Sequence, residues 1–176
     1  MKALQIAAHG NPATVLKLSD IPDVGSPAVN EVVVAVNEVV VAVEASPING
    51  TDLLIMAGRY GYLPKLPSTL GAEGGGRVVA VGSGVKGLKE GDRTVIPFLT
   101  PAWAERVKFA ATWQRPLPEK ADVLQLSMLA INPATAYLLL TDIVQIPRDG
   151  WLIHNGANSP TGRAVIATAK SLGIKT

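Results

Sequence analysis

Two stretches of this sequence hold residues whose types and spacing could carry chemistry, and both are turns. Asn155-Gly156-Ala157-Asn158-Ser159-Pro160-Thr161-Gly162-Arg163 follows a short apolar run, Gly150-Trp151-Leu152-Ile153-His154. Residues 162–172 then have helical spacing, closed by Gly173. Strand, tight polar turn and helix in that order open a dinucleotide-binding βαβ unit, because the free amides and the dipole at a helix N-terminus can hold a pyrophosphate. Set against G-x-G-x-x-G, only Gly162 remains, with Ala157 and Ser159 in place of the first two glycines. The position of the turn therefore argues more than its letters. Pro160 takes one amide out of the cradle, although proline in the first turn of a helix is well tolerated. The second stretch, Gly58-Arg59-Tyr60-Gly61, puts a phenol in a loop dense in Gly and Pro. Taken alone, such a tyrosine is a loop aromatic that packs against a core.

Metal and thiol chemistry is poorly provided for. With no cysteine there is no disulfide framework, thiolate zinc site or Fe–S cluster. The two histidines are His9, near the Gly10-Asn11-Pro12 turn, and His154, and no His pair or His–carboxylate ligand set is visible. His154 sits in the run preceding the turn, where a hydrogen-bonded structural histidine is expected. A net charge of +2, from 16 basic and 14 acidic residues, is too mild to argue for nucleic acid. The opening Met1-Lys2-Ala3-Leu4-Gln5-Ile6 lacks a signal-peptide core and an Arg-rich presequence. No apolar run approaches the ~20 residues of a membrane span. The expectation is a cytoplasmic protein with no membrane partner.

The elements that must position these residues divide the chain at about residue 118. From 1 to 118 it is punctuated by Pro and Gly, with short Val-rich runs at 32–36, 39–43, 78–81 and 95–99. That texture predicts an all-β, barrel-like domain. From 119 to 176 the spacing turns helical, over 121–130 and over 133–140 with Pro133 at N1, before the strand at 150–154 and the helix after it. Asn132 precedes the Pro133 helix and suits its cap. Trp103, Trp113 and Trp151 read as core or domain-seam residues. Asn-Glu-Val-Val-Val-Ala-Val occurs twice in tandem, at 30–36 and 37–43. A shift of seven reverses which side chains face the core, so only one copy should fill a strand. An uncharged second VVVAV is a β-aggregation hazard.

Residues 48–76, INGTDLLIMAGRYGYLPKLPSTLGAEGGG, resemble the medium-chain dehydrogenase/reductase superfamily. So do Gly82-Ser83-Gly84-Val85, the Gly-Asp-Arg at 91–93, Trp103-Ala104-Glu105 with Leu117-Pro118, and Asn-Pro-Ala-Thr-Ala-Tyr at 132–137. The resemblance covers the whole chain and is closest to the 2-enoyl thioester (trans-2-enoyl-CoA) reductases. It implies a GroES-like barrel domain followed by the first βα unit of a Rossmann (α/β) domain. Asn49, Leu54 and Ala72 stand where zinc-using members have Cys, His and His, so the resemblance implies a zinc-independent enzyme of fatty acid metabolism. It implies Tyr60 as proton donor and NADP(H) as cofactor, with Asn132 near the nicotinamide, Asn158, Ser159, Pro160 and Thr161 along the cofactor, and Gly162 opening the helix beneath it. Thr135 is a weaker neighbour of that site. Pro160 departs from the small residue usual there. The partners implied are an enoyl thioester on coenzyme A or acyl carrier protein and a second copy of the chain. Two alternatives stay open, an NADPH:quinone oxidoreductase of the same superfamily and a non-catalytic fragment. The last residue, Thr176, falls where a second Rossmann strand should begin. The expectation is the N-terminal portion of an enzyme, inactive by itself.

Overall fold

Short apolar runs separated by Gly and Pro fold as strands because branched side chains suit a pleated surface covered on one or both faces. In the computed structural model, which describes residues 1–24 and 36–176, β1 (Lys2–Ile6) pairs antiparallel with β2 (Leu16–Asp20). Between them lies one helical turn, α1 (Pro12–Val15), capped by the Asn11 side chain, which accepts from Ala13 N. The second copy of the valine heptad makes β3 (Glu38–Ala45). Its Val39, Val40 and Val41 are all fully buried, as a strand covered on both faces requires. Residues 30–35 of the first copy, and with them most of the strand expected at 32–36, lie outside the described residues. After α2 (Gly50–Met56) come β4 (Ser68–Thr69), β5 (Gly74–Val81), β6 (Arg93–Ile96) and β7 (Arg106–Ala110).

The described strands form two antiparallel sheets, of order β2-β1-β4 and β6-β5-β3-β7. They are linked by a single bridge, Ala3 to Ala104. The β-rich, barrel-like domain expected from the sequence is thus present as two sheets, which among the described residues do not close into a ring. Closure needs continuous pairing around the ring, and β4, two residues long, leaves an edge beside β1. Register shifts in the β3–β5 pair, between Val40 and Val41 and between Val43 and Ala45, are irregularities of the kind that bend a strand and re-aim its side chains. One core, around Val39, Val41, Val78, Ile96, Val107 and Phe109, fills the larger sheet. A second, of Ile6, Ile55, Met56, Leu70 and Trp103, lies under α2.

Residues Met1–Ser127 form one compact unit and Met128–Thr176 another. The helix expected over 121–130 contracts to a single turn, α3 (Val123–Leu126), which Asp122 caps through Leu124 N. Helical spacing yields here to packing, for the backbone at Ser127 comes so near β5 that a Cβ on Gly75 would lie 3.3 Å from it. In the second unit α4 (Asn132–Leu138) runs into a π-helical turn (Leu139–Ile143). α5 (Pro160–Leu172) packs with it around Ala136, Leu140, Val165, Ala169 and Ile174. Gly173 ends α5 in the left-handed conformation, φ 75°, as expected.

Three expectations for this part of the chain need correction. The run 150–154 is not a buried strand. It makes one parallel bridge, Trp151 to Lys175, and Ile153 is 95% exposed, because a parallel strand is held by neighbours on both edges and among the described residues it has only that bridge. His154 is consequently no strand-interior histidine, and its Nδ1 lies 3.3 Å from the Asn155 carbonyl beside it. Of the tryptophans only Trp103 is core. Trp113 and Trp151 are exposed, the latter under the Lys175 ammonium, 5.8 Å from its ring centroid.

Candidate functional site

In the first unit the site residues hang on α2. Asp52, at the third position of this helix, is 1% exposed and reaches back to accept from Asn49 N at 2.7 Å with Oδ2 and from Ala72 N at 2.9 Å with Oδ1. Burial pushes its carboxyl above the ordinary aspartate value, against the pull of the Asn49, Ala72 and Gly71 amides. Beside it Asn49 Nδ2 donates to Glu73 Oε1 at 3.2 Å. Glu73 is fully buried, and its carbonyl accepts from Ser46 Oγ at 2.6 Å. The three positions where a zinc ligand would stand therefore hold an amide committed to a carboxylate and, at Leu54 and Ala72, no donor side chain at all. Such a set does not fit zinc. Among the described residues no three His, Cys, Asp or Glu side chains form a metal-binding group.

Tyr60 lies in the loop that leaves α2, which ends at Met56. Gly58, at φ 70°, turns the chain against His9, whose Nδ1 lies 3.0 Å from the Ile55 carbonyl. The Tyr60 ring is half-buried against the core of Ile55, Met56, Leu70 and Trp103. Packing, the plain role for a loop aromatic, is thus one thing this side chain does. A cavity of about 60 Å³ nearby in the chain is lined by Asp52, Ile55, Tyr62, Leu70, Gly71 and Leu99, among others. Sequence reasoning passed over Asp52, Glu73 and Tyr62. The signal available for the first two was a carboxylate set among apolar and glycine neighbours, Thr51-Asp52-Leu53 and Ala72-Glu73-Gly74, where burial demands hydrogen bonds.

In the second unit α5 begins two residues before the expected Gly162. Ser159 is its cap and its Oγ accepts from Gly162 N at 3.0 Å. Pro160 is the first helical residue, where its missing N–H costs nothing to the helix. Gly162 is buried, and a Cβ there would run into the Gly156 carbonyl and Ala157, so the helix start lies tight against the turn as a phosphate cradle requires. Asn158 is exposed and accepts from Arg163 through Nε at 3.2 Å and Nη2 at 2.6 Å, which holds a cation at the same mouth. The positive end of the helix dipole with a guanidinium held beside it fits an anionic phosphate. Asn132 is not the cap of α4. Ile131 takes that place and Pro133 is one position further in than expected. The Asn132 side chain is buried and bound, with Thr161 Oγ1 donating to its Oδ1 at 2.7 Å. The structure thus joins Asn132 to the start of α5. Thr135 instead donates to the Ile131 carbonyl.

Known proteins resemble this chain over its whole length. The alcohol dehydrogenase GroES-like domain matches residues 35–115. The mitochondrial enoyl-[acyl-carrier-protein] reductase of Rattus norvegicus is 38% identical over 178 residues, covering 100% of this chain and 45% of its own length. Among solved structures, the quinone oxidoreductase of Escherichia coli complexed with NADPH superposes with a TM-score of 0.81 at 33% identity, over 99% of this chain and 51% of that one. The Etr1p/NADP/crotonyl-CoA complex, whose Etr1p is a 2-enoyl thioester reductase of Candida tropicalis, gives 0.78 at 27% identity, over 98% and 52%. The chain spans about half the length of the curated relatives it matches. Among the described residues no helix is long and apolar enough to cross a membrane.

Proposed function

Because this chain belongs to the medium-chain dehydrogenase/reductase superfamily, we propose that it is part of an NADPH-dependent reductase that saturates the 2,3 double bond of an enoyl thioester without zinc. What supports this reading is the segment 49–73, where Asn49, Asp52 and Glu73 are hydrogen-bonded into the protein, no zinc-ligating side chain stands at positions 49, 54 and 72, and Tyr60 occupies the loop position that the resemblance to the enoyl thioester reductases gives to the proton donor. NADPH, when bound, supplies a hydride for the β carbon of the substrate. Negative charge then develops on the thioester carbonyl, and a phenol can both hydrogen-bond that enolate and protonate its α carbon. Tyr60 takes that role. The N-terminus of α5, with Asn158, Ser159, Pro160, Thr161 and Gly162, holds the cofactor phosphates, and Asn132 lies toward the nicotinamide. Residues 1–118 are the catalytic part and those from 119 onward the start of the cofactor part. Cytoplasmic residence and pairing of two copies belong to the same reading. Fractionation and sedimentation of the full-length protein test them, the first against relatives whose names place them in mitochondria.

A quinone oxidoreductase is the second reading, favoured by the 33% identity to the Escherichia coli enzyme. The full-length protein is expected to oxidise NADPH with crotonyl-CoA far faster than with a soluble quinone, and the reverse ratio would favour the second reading. Elemental analysis of protein purified without a metal-affinity step is expected to find well under one zinc per chain. Stoichiometric zinc would overturn the metal-free assignment.

A further inference from the structure

We propose that the Thr161 hydroxyl, as distinct from the backbone that this helix start turns to the phosphates, is a positioning group: it acts on the cofactor through Asn132 by fixing the Asn132 amide. This inference rests on the cofactor reading above. Asn132 is buried in the first turn of α4 and Thr161 sits in the first turn of α5, far apart in sequence and joined by one short hydrogen bond of 2.7 Å. Its direction follows from the other end of the amide. Asn132 Nδ2 points at the Met128 carbonyl, 3.5 Å away, and a carbonyl can only accept. Oδ1 therefore faces Thr161, whose hydroxyl must donate.

The donor is itself held still. Pro160 restricts the backbone before Thr161, and Gly162 after it is wedged against Gly156 and Ala157. A short bond between two rigid helix starts makes the cofactor turn and Asn132 move as one. Without that hydroxyl the amide loses its short bond to α5, and the proposed nicotinamide contact is less firmly preset when the phosphates bind.

Valine has the shape of threonine without the hydroxyl, and serine keeps the hydroxyl without the methyl. In the full-length protein, titration with NADPH is expected to show Thr161→Val binding about tenfold more weakly, the scale of one lost hydrogen bond to a buried group. Thr161→Ser should stay within about twofold of wild type. In an Asn132→Ala background the valine change should add little, since the effect passes through that amide. Thermal unfolding of wild type, Thr161→Val, Asn132→Ala and the double variant without cofactor should show the same coupling in the midpoints. Equal effects of Val and Ser, or full additivity with Asn132→Ala, overturn the positioning role while leaving the reductase reading intact. A wild-type protein that binds no NADPH overturns the reading itself, and the role with it.

Discussion

Replacing Tyr60 by Phe in the full-length enzyme is expected to lower turnover of an enoyl thioester about a hundredfold, the scale of a lost general acid, with NADPH affinity nearly unchanged. The variant separates two roles that coincide in one ring. Phe keeps the half-buried face that packs on Ile55, Met56, Leu70 and Trp103, so the unfolding midpoint should hardly move. Only the hydroxyl is lost. The core on which the ring packs is tightly built: Gly71, at φ 101°, lies so near Trp103 that a Cβ would stand 2.5 Å from its Cδ1, and Trp103 N donates to the Leu70 carbonyl at 2.8 Å. The loss should fall on kcat and on kcat/KM alike, because the phenol contributes as charge develops and not to ground-state binding. A Phe variant that keeps most of its crotonyl-CoA activity would reduce Tyr60 to a packing residue and leave the proton to another donor.

The parts of the molecule written in the sequence are those whose cause is local. Gly173 closes α5 because a left-handed residue is needed there, and Ser159 caps it because its hydroxyl reaches Gly162 N. The second valine heptad became a central strand because its apolar run suits burial on both faces. Where tertiary partners decide, local pattern misleads. Residues 150–154 have the composition of a buried strand, yet a strand is a property of its neighbours, and Trp151 has one bridge. Helical spacing over 121–130 gives way to contact with β5. Asp52 is the clearest case for the site. Nothing in Gly50-Thr51-Asp52-Leu53 announces that this carboxylate turns inward to the amide of a residue twenty positions later, and only the fold brings Ala72 within reach.

Asp52 therefore carries the largest stability prediction. Replacing it by Ala leaves the amides of Asn49, Ala72 and Gly71 without their acceptor, and the expected loss is about 2–4 kcal/mol, since each stranded donor is costly but water can enter the adjoining cavity. Asp52→Asn keeps the shape and one acceptor oxygen but sets an amide NH₂ against an N–H, and should cost less. The two variants also separate charge from geometry. Burial raises the Asp52 carboxyl above 3.8 in the folded protein, so the folded chain holds that proton more tightly than the unfolded one. The stability this proton confers is fully present below the unfolded value and is lost as pH rises through the folded one. Asn has no proton to lose. Measured as the difference in unfolding midpoint, the advantage of wild type over Asp52→Asn should therefore shrink as pH climbs from about 4 toward neutrality. An advantage that grows over the same interval would mean that the three amides, and not burial, govern this carboxylate, and that it is held as a stabilised anion.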